Sequence, residues 1–192
     1  MRKLVALLLV LCMMCSVVTA ETPTWPEGGV VLGNTGLSIL LPDGIPAAEI
    51  TEELREGGVF AHAYVESSDA AGGFTLLVSE LAESPESIHN TLVAELEAIA
   101  EILGIKVLTS RDDMHWILNV AADGDAVYMR KDSISIGEAT IDYIQGDTYS
   151  GSRFVFAGIG DGEKTFYLKI SMNSEYAQML PDVLNLILQP NE

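Results

Sequence analysis

Three histidines and several acid-rich turns are the residues of this chain best suited to chemistry. His62 and His115 each lie within a run that has the two-residue alternation of a β-strand. If the two runs were neighbouring strands, both histidines could be ligands of one metal ion. The alternative is a pair of hydrogen-bonded strand histidines, and it is favoured because zinc sites use three or four protein ligands.

A second candidate is a divalent-cation site built from acidic turns. Carboxylates occur at the predicted turns Asp112 and Asp113, Asp123 and Asp125, Asp147, and Asp161 with Glu163. Oxygen ligands of this kind suit Ca²⁺, provided that several of the turns meet at one end of a sheet. Because Asp also favours tight turns for backbone reasons, a divalent cation is a possible ligand and the metal ligands stay unknown.

The sequence contains no enzyme motif. None of the three histidines belongs to an H-E-x-x-H pair, and neither a G-x-S-x-G elbow nor a phosphate-binding loop occurs. We therefore expect a protein that is not an enzyme and that uses no cofactor, with no catalytic residue to assign. The alternative is a hydrolase whose site is assembled only in the fold.

Aromatic side chains offer a third kind of site. An exposed surface for a glycan or a peptide could be formed by Trp116, Tyr128, Tyr143 and Tyr167. The alternative is that most of these rings belong to the core or to cross-strand pairs.

Residues 1–20 predict a secretory signal peptide that is cleaved after Ala20. Two basic residues precede a nearly unbroken apolar run, 4–18, which is shorter than a membrane-spanning helix. An uncleaved N-terminal anchor is the alternative. Cys12 and Cys15 both lie in this segment, so the exported chain would have no disulfide. A secreted or extracytoplasmic bacterial protein is expected.

The charge of the chain excludes two classes of partner. Its formal net charge is −18, and loss of Arg2 and Lys3 with the signal peptide takes it to −20, since that peptide contains none of the 28 acidic residues. Nucleic acids and anionic membrane surfaces both attract clustered Lys and Arg, so neither is expected. Solubility explains the acidity most simply. The alternative, functional explanation is that the chain binds a cationic ligand or a basic partner.

Hydrophobic periodicity predicts the elements that would position these residues. Residues 84–103 predict a long amphipathic helix, with Ser84 as N-cap, Pro85 in the first turn and Gly104 at the end. Its apolar stripe consists of Ile88, Leu92, Leu96, Ile99 and Leu103. Such a stripe needs a flat partner, which the surrounding strand patterns supply.

Strands are predicted on both sides of that helix. The runs with a strand pattern are 30–32, 37–41, 59–65, 74–81, 105–109, 114–120, 126–131, 139–145, 153–159 and 164–171. Short turns join the later runs, which indicates an antiparallel meander. Residues 46–56 predict a short helix, and 174–188 predict a C-terminal helix that Pro181 either kinks or divides.

The order of these elements resembles the Mog1/PsbP-like superfamily. The resemblance rests on the opening strand Gly36 to Pro42 (GLSILLP), on the long helix after two further strands, and on the run Phe166 to Ile170 before the terminal helix. It implies an α+β fold, an α/β/α sandwich around a central, mostly antiparallel sheet. It also implies an accessory or binding role. No functional residue can be carried over, because no motif matches.

Three regions are therefore expected. They are the signal peptide 1–20, an extended N-terminal segment 21–35 and a single α+β domain 36–190. The expected function is that of a secreted, non-catalytic accessory or binding module whose protein partner is unknown.

Overall fold

The computed structural model describes residues 23–67, 73–84, 90, 106–109, 115–120 and 125–191. For 106–109, 115–120, 125–127 and Met129 it describes the backbone alone. The predicted signal peptide lies outside these residues. So does the helix predicted over 84–103, apart from Ser84 and Asn90. Both stay predictions.

The described residues form two antiparallel sheets and three short helices. The strands are β1 Val30–Val31, β2 Leu37–Ile39, β3 Val59–Val65, β4 Phe74–Leu81, β5 Lys106–Thr109, β6 His115–Val120, β7 Asp125–Ile136, β8 Ala139–Thr148, β9 Arg153–Gly160, β10 Thr165–Met172 and β11 Leu188–Pro190. The helices are α1 Glu52–Glu56, α2 Ser174–Met179 and α3 Val183–Ile187. The described chain is thus a sheet-rich mixed fold, and none of its described helices is long and apolar enough to cross a membrane.

The larger sheet contains eight strands in the order β3-β4-β10-β9-β8-β7-β6-β5. Strands β5 to β9 each pair with the next strand in the sequence, so the predicted antiparallel meander is confirmed. One hairpin was not predicted. β7 continues to Ile136 and turns at Gly137, whose φ of 60° is readily accessible to glycine, into β8.

The smaller sheet joins the two ends of the described chain. Its order is β1-β2-β11. Ile39 of the central strand pairs with Val30 on one side and with Leu188 on the other. Trp25, upstream of β1, donates its indole N–H to the carbonyl of Ile39 at 3.0 Å. The N-terminal segment is therefore attached to the folded unit rather than free of it.

The core lies between one face of the large sheet and the small sheet with its helices. On β10, Phe166, Leu168 and Ile170 are buried on this face, whereas Lys169 is exposed on the other. Opposite them lie buried residues of the small sheet and the helices, Leu37, Ile39, Ala177, Leu184 and Ile187. Burying each large aliphatic side chain contributes about 1.5–3 kcal/mol.

Of the two alternatives predicted for the C-terminal helix, division at Pro181 is confirmed, whereas the helix predicted over 46–56 was too long. The predicted C-terminal helix 174–188 is divided into α2 and α3, because Pro181 has no N–H to continue a helix, and Leu188 begins β11 instead. The helix predicted over 46–56 is only α1, capped by the Thr51 side chain. The preceding residues are extended, and Ala47 forms a bridge to Ala63 of β3.

Candidate functional site

The hypothesis that His62 and His115 share a metal ion is wrong. His62 lies on β3 and His115 on β6, six positions apart in the strand order. At about 4.8 Å per strand the two residues are separated by roughly 29 Å. The ring Nδ1 of His62 instead lies 2.8 Å from the carbonyl oxygen of Glu49, so it donates a hydrogen bond that holds this segment against the sheet edge.

The structure separates two of the acidic turns. Asp147 lies near the end of β8, and Asp161 follows the end of the antiparallel neighbour β9, so the two carboxylates occupy opposite ends of the sheet. Asp112, Asp113 and Asp123 lie outside the described residues. Within the described part of the chain, no three His, Cys, Asp or Glu side chains are grouped as metal ligands would be.

Asp161 uses its carboxylate to organise its own turn. Its Oδ1 accepts hydrogen bonds from the backbone N–H of Glu163 at 2.9 Å and of Lys164 at 2.8 Å, and its Oδ2 accepts a longer one from Asn34. These bonds favour the ionised form and lower the pKa of Asp161 from its usual value. This carboxylate therefore has a structural role in the turn.

The candidate tyrosines do not form one surface. Tyr143 lies on the core-facing side of β8, whereas Tyr167 lies on the opposite face of the large sheet, where its ring is stacked on Phe156 with 6.3 Å between centroids. Tyr128 is 41% exposed and pairs in register with Asp147. The side chain of Trp116 lies outside the described residues.

A chain of polar contacts crosses the core-facing side of β7, β8 and β9. Arg130 donates to Gln145 at 3.3 Å, and Gln145 donates to Asp147 at 2.8 Å. Arg153 forms a salt bridge with Asp147 at 2.6 Å and donates to the carbonyl of Pro181, also at 2.6 Å. We call these five residues the polar relay. It ties the sheet to the break between α2 and α3.

A groove lies between the polar relay and α3. Its volume is about 180 Å³, and we call it the Arg130 groove, lined among others by Arg130, Tyr143, Gln145, Val155, Asp182 and Leu184. The pKa of Tyr143 is raised, first by burial and then by the neighbouring Asp132, which accepts from its hydroxyl at 3.4 Å. The Tyr143 hydroxyl therefore stays protonated at neutral pH.

A second concavity of about 410 Å³ lies at the β3 edge of the large sheet. We call it the Trp25 cleft, and its lining includes Pro23, Trp25, Pro26, Ile50, Phe60 and His62. One wall is the N-terminal segment and the other is the extended chain from Ala47, where the N–H of Ala48 donates to the carbonyl of His62 at 2.8 Å. The volume falls within the range of ligand-binding clefts.

Phe60 presents the main exposed ring of this cleft. It is the extra residue of a β-bulge, because Val59 pairs with Ser79 and Ala61 pairs with the next residue, Val78. A bulge at a sheet edge redirects a side chain. The ring of Phe60 packs edge-on against Phe166, with 6.0 Å between centroids, and is still 38% exposed.

One carboxylate, that of Glu49, lines the Trp25 cleft, and several others are close to its walls in the sequence. Glu27 follows Pro26 of one wall, and Glu52, Glu53 and Glu56 lie on the neighbouring helix α1; all of these glutamates are exposed. The cation among them is Arg55, which donates to the carbonyl of Ile50 at 3.3 Å. The surroundings of the cleft are therefore negative, beyond the general acidity of the chain.

Neither concavity was predicted from the sequence. The alternating polar residues Tyr143, Gln145 and Asp147 are a local sign of the Arg130 groove, since a strand facing only the core would carry apolar residues there. Trp25 between two prolines is a comparable sign of the Trp25 cleft. The groove also needs α3, and the cleft needs the segment after Ala47, so no single stretch indicates either.

No protein-family model matches the chain, and no curated protein matches it. Among solved structures, the chain is similar to the solution structure of cyanobacterial PsbP (CyanoP) from Synechocystis sp. PCC 6803. The likeness covers 93% of this chain and 98% of that chain, with 8% sequence identity and a TM-score of 0.40. The solved protein is a PsbP, the kind of protein named in the resemblance drawn from the sequence.

Proposed function

We propose that this chain is an extracytoplasmic, non-catalytic binding module that holds an extended, positively charged segment of a protein partner in the Trp25 cleft. The observation that carries the proposal is the partly exposed ring of Phe60, set by a bulge in an edge strand and sharing its cleft with the exposed carboxylate of Glu49. Export itself rests on the sequence pattern of residues 1–20.

The shape of the Trp25 cleft favours an extended segment. Its walls, Pro23–Pro26 and Ala47–Ile50, belong to no helix, and Ala47 and Ala48 of the second wall pair with strand β3. Pro23 and Pro26 have no N–H, so this wall offers rings and carbonyl oxygens to a partner. Peptides bind such edges through main-chain hydrogen bonds, with alternate side chains entering pockets.

The charge around the cleft favours a basic segment. Five exposed glutamates and a single arginine lie on its walls, next to them in the sequence, or on α1. Lys and Arg side chains of a partner would meet these carboxylates while their neighbours contact Phe60 and Trp25. Complementary charge of this kind mainly sets specificity and the association rate, and aromatic anchors supply affinity.

The test is a binding titration with two labelled peptides, one of alternating Lys and Val and one of alternating Glu and Val, followed by fluorescence anisotropy. The Lys peptide should bind and the Glu peptide should not. Binding should weaken in high salt, since the screening length falls from about 10 Å at 0.1 M to about 3 Å at 1 M. Phe60→Ala should weaken binding about tenfold.

Two matched controls separate the cleft from general attraction to an acidic protein. Tyr149→Ala removes a ring that is 87% exposed and lies outside the cleft, and it should leave the affinity unchanged. Glu49→Gln should weaken binding, whereas Glu138→Gln, in the β7–β8 turn and outside the lining of the cleft, should not. Equal binding by wild type and Phe60→Ala, or equal binding of both peptides, would contradict the proposal.

A further inference from the structure

Arg130 contains a buried donor that no group in the described part of the chain satisfies. Its Nε has no hydrogen-bond partner and is shielded from solvent. Its guanidinium group donates to Gln145 at 3.3 Å and also forms a side-chain hydrogen bond with Tyr143. The Nε itself is closed off from the groove, but Arg130 belongs to the groove lining, so its guanidinium group offers a positive charge to a molecule bound there.

The chemistry of the groove limits what that acceptor can be. A guanidinium group matches a carboxylate, because its parallel N–H bonds fit two oxygens. On the opposite side, Asp182 is exposed at the start of α3, and its side chain does not cap the helix. The Arg130 groove therefore offers a cation on its sheet side and an anion on its helix side.

The remaining walls are apolar. Val155 on β9 and both Val183 and Leu184 on α3 are buried, and all three line the groove. A cavity of about 150 Å³ accommodates a molecule of the size of benzene. The volume of about 180 Å³ here therefore suits a small molecule with one short apolar arm.

We propose that the Arg130 groove binds a small zwitterion, an α-amino acid with an apolar side chain. Arg130 holds its carboxylate, Asp182 holds its ammonium group, and the apolar side chain lies against Val155 and Leu184. The site is separate from the Trp25 cleft and does not depend on the partner proposed for that cleft. A single ligand of this class pairs its carboxylate with the cation of Arg130 and its ammonium group with the anion of Asp182.

The test compares three probes by isothermal titration calorimetry on the purified protein. They are L-leucine, isocaproate, which keeps the carboxylate and lacks the amino group, and isoamylamine, which keeps the amine and lacks the carboxylate. Leucine should bind about tenfold more tightly than either analogue, since each analogue leaves one charged group unpaired. No heat with leucine, or equal affinity for leucine and isocaproate, would overturn the proposal.

Variants then connect binding to the two charges. Asp182→Asn should weaken leucine binding about tenfold and abolish the preference over isocaproate. Asp142→Asn, an exposed carboxylate on the other face of β8, is the matched control and should have no effect. Arg130→Lys keeps the charge and removes the planar fork, and it should also weaken binding about tenfold. The melting temperature of the Arg130→Lys variant, compared with that of wild type, shows whether the variant keeps the fold. Leucine affinity that is unchanged in both Asp182→Asn and Arg130→Lys would also overturn the proposal.

Discussion

Gly146 lies opposite Phe154 on neighbouring strands, and the phenyl ring of Phe154 fills the place of the missing side chain. A Cβ atom at position 146 would lie 2.0 Å from the Cζ of Phe154, which is much closer than any real contact. The Phe154 ring also packs against the ring of Phe156, with 5.3 Å between the centroids. Glycine at this position is thus required by packing, since its φ is not in the left-handed region.

We expect Gly146→Ala to destabilise the protein by about 1–3 kcal/mol, because the Phe154 ring must leave its place. This corresponds to a fall in Tm of roughly 3–10 °C for a domain of this size. Thermal unfolding followed by circular dichroism measures it. Gly28→Ala is the matched control, since a methyl group there meets nothing within 4 Å. The cost at position 146 should shrink in a Phe154→Leu background, and an unchanged cost there would contradict this explanation.

Asp161 makes stability depend on pH in the acid range. Its folded pKa is lowered, chiefly by the N–H groups of Glu163 and Lys164. A lowered folded pKa contributes stability that is present above the unfolded value and is lost as pH falls through the folded value. NMR titration should therefore place the midpoint of Asp161 below the ordinary 3.8.

Comparison of wild type with Asp161→Asn tests the same point by urea unfolding. The variant should be less stable at neutral pH, and the difference should shrink as pH falls below 3.8. Glu163→Gln is the control from the same turn, because Glu163 contributes its backbone N–H to these contacts. A difference that stays constant down to the acid limit would show that ionisation of Asp161 contributes nothing.

At the scale of elements, β11 is the edge strand that completes the small sheet. Leu188 is 2% exposed and pairs with Ile39, while Asn191 donates its backbone N–H to Gly36 at 2.8 Å. The side chain of Ser38 also hydrogen-bonds to Asn191. Pro190 is tolerated because β11 is an edge strand, where a missing N–H breaks no ladder.

Leu188→Ala should lower the free energy of unfolding by about 2–5 kcal/mol, since it leaves a cavity against β2. Gln189→Ala changes the next residue of the same strand, whose side chain is exposed, and it should stay within about 0.5 kcal/mol of wild type. Urea unfolding at equilibrium compares the two variants. Similar losses for both would contradict the assignment of this stability to the burial of Leu188.

The elements that the sequence predicted well are those with strong local patterns. β3 and β4 have the predicted bounds, 59–65 and 74–81, because alternation and flanking polar loops mark both ends. β11 was missed because three residues, Leu-Gln-Pro, show no period, and their pairing partner Ile39 lies far away in the sequence. The second half of β7 was missed although Ile134 and Ile136 alternate with serines.

At the scale of the whole molecule, both concavities arise where separate parts of the chain converge. The Arg130 groove needs β7 and β8 from the meander and α3 from the C-terminal region, and the Trp25 cleft needs the N-terminal segment beside β3. The sequence shows which residues are available to line the two concavities. Which of them lie close together depends on strand order and on the break at Pro181. Strand order is also what separated His62 from His115. Local periodicity specifies neither.

The position of β11 has a consequence for how the molecule is made. β11 follows β2 only after the whole of the large sheet, so Leu37 and Ile39 stay uncovered on that edge until translation has passed Pro190. A chain released before Pro190 would keep an unpaired, apolar strand edge, which attracts proteases and other chains. Completion of the small sheet therefore distinguishes chains that contain β11 from chains that stop before it.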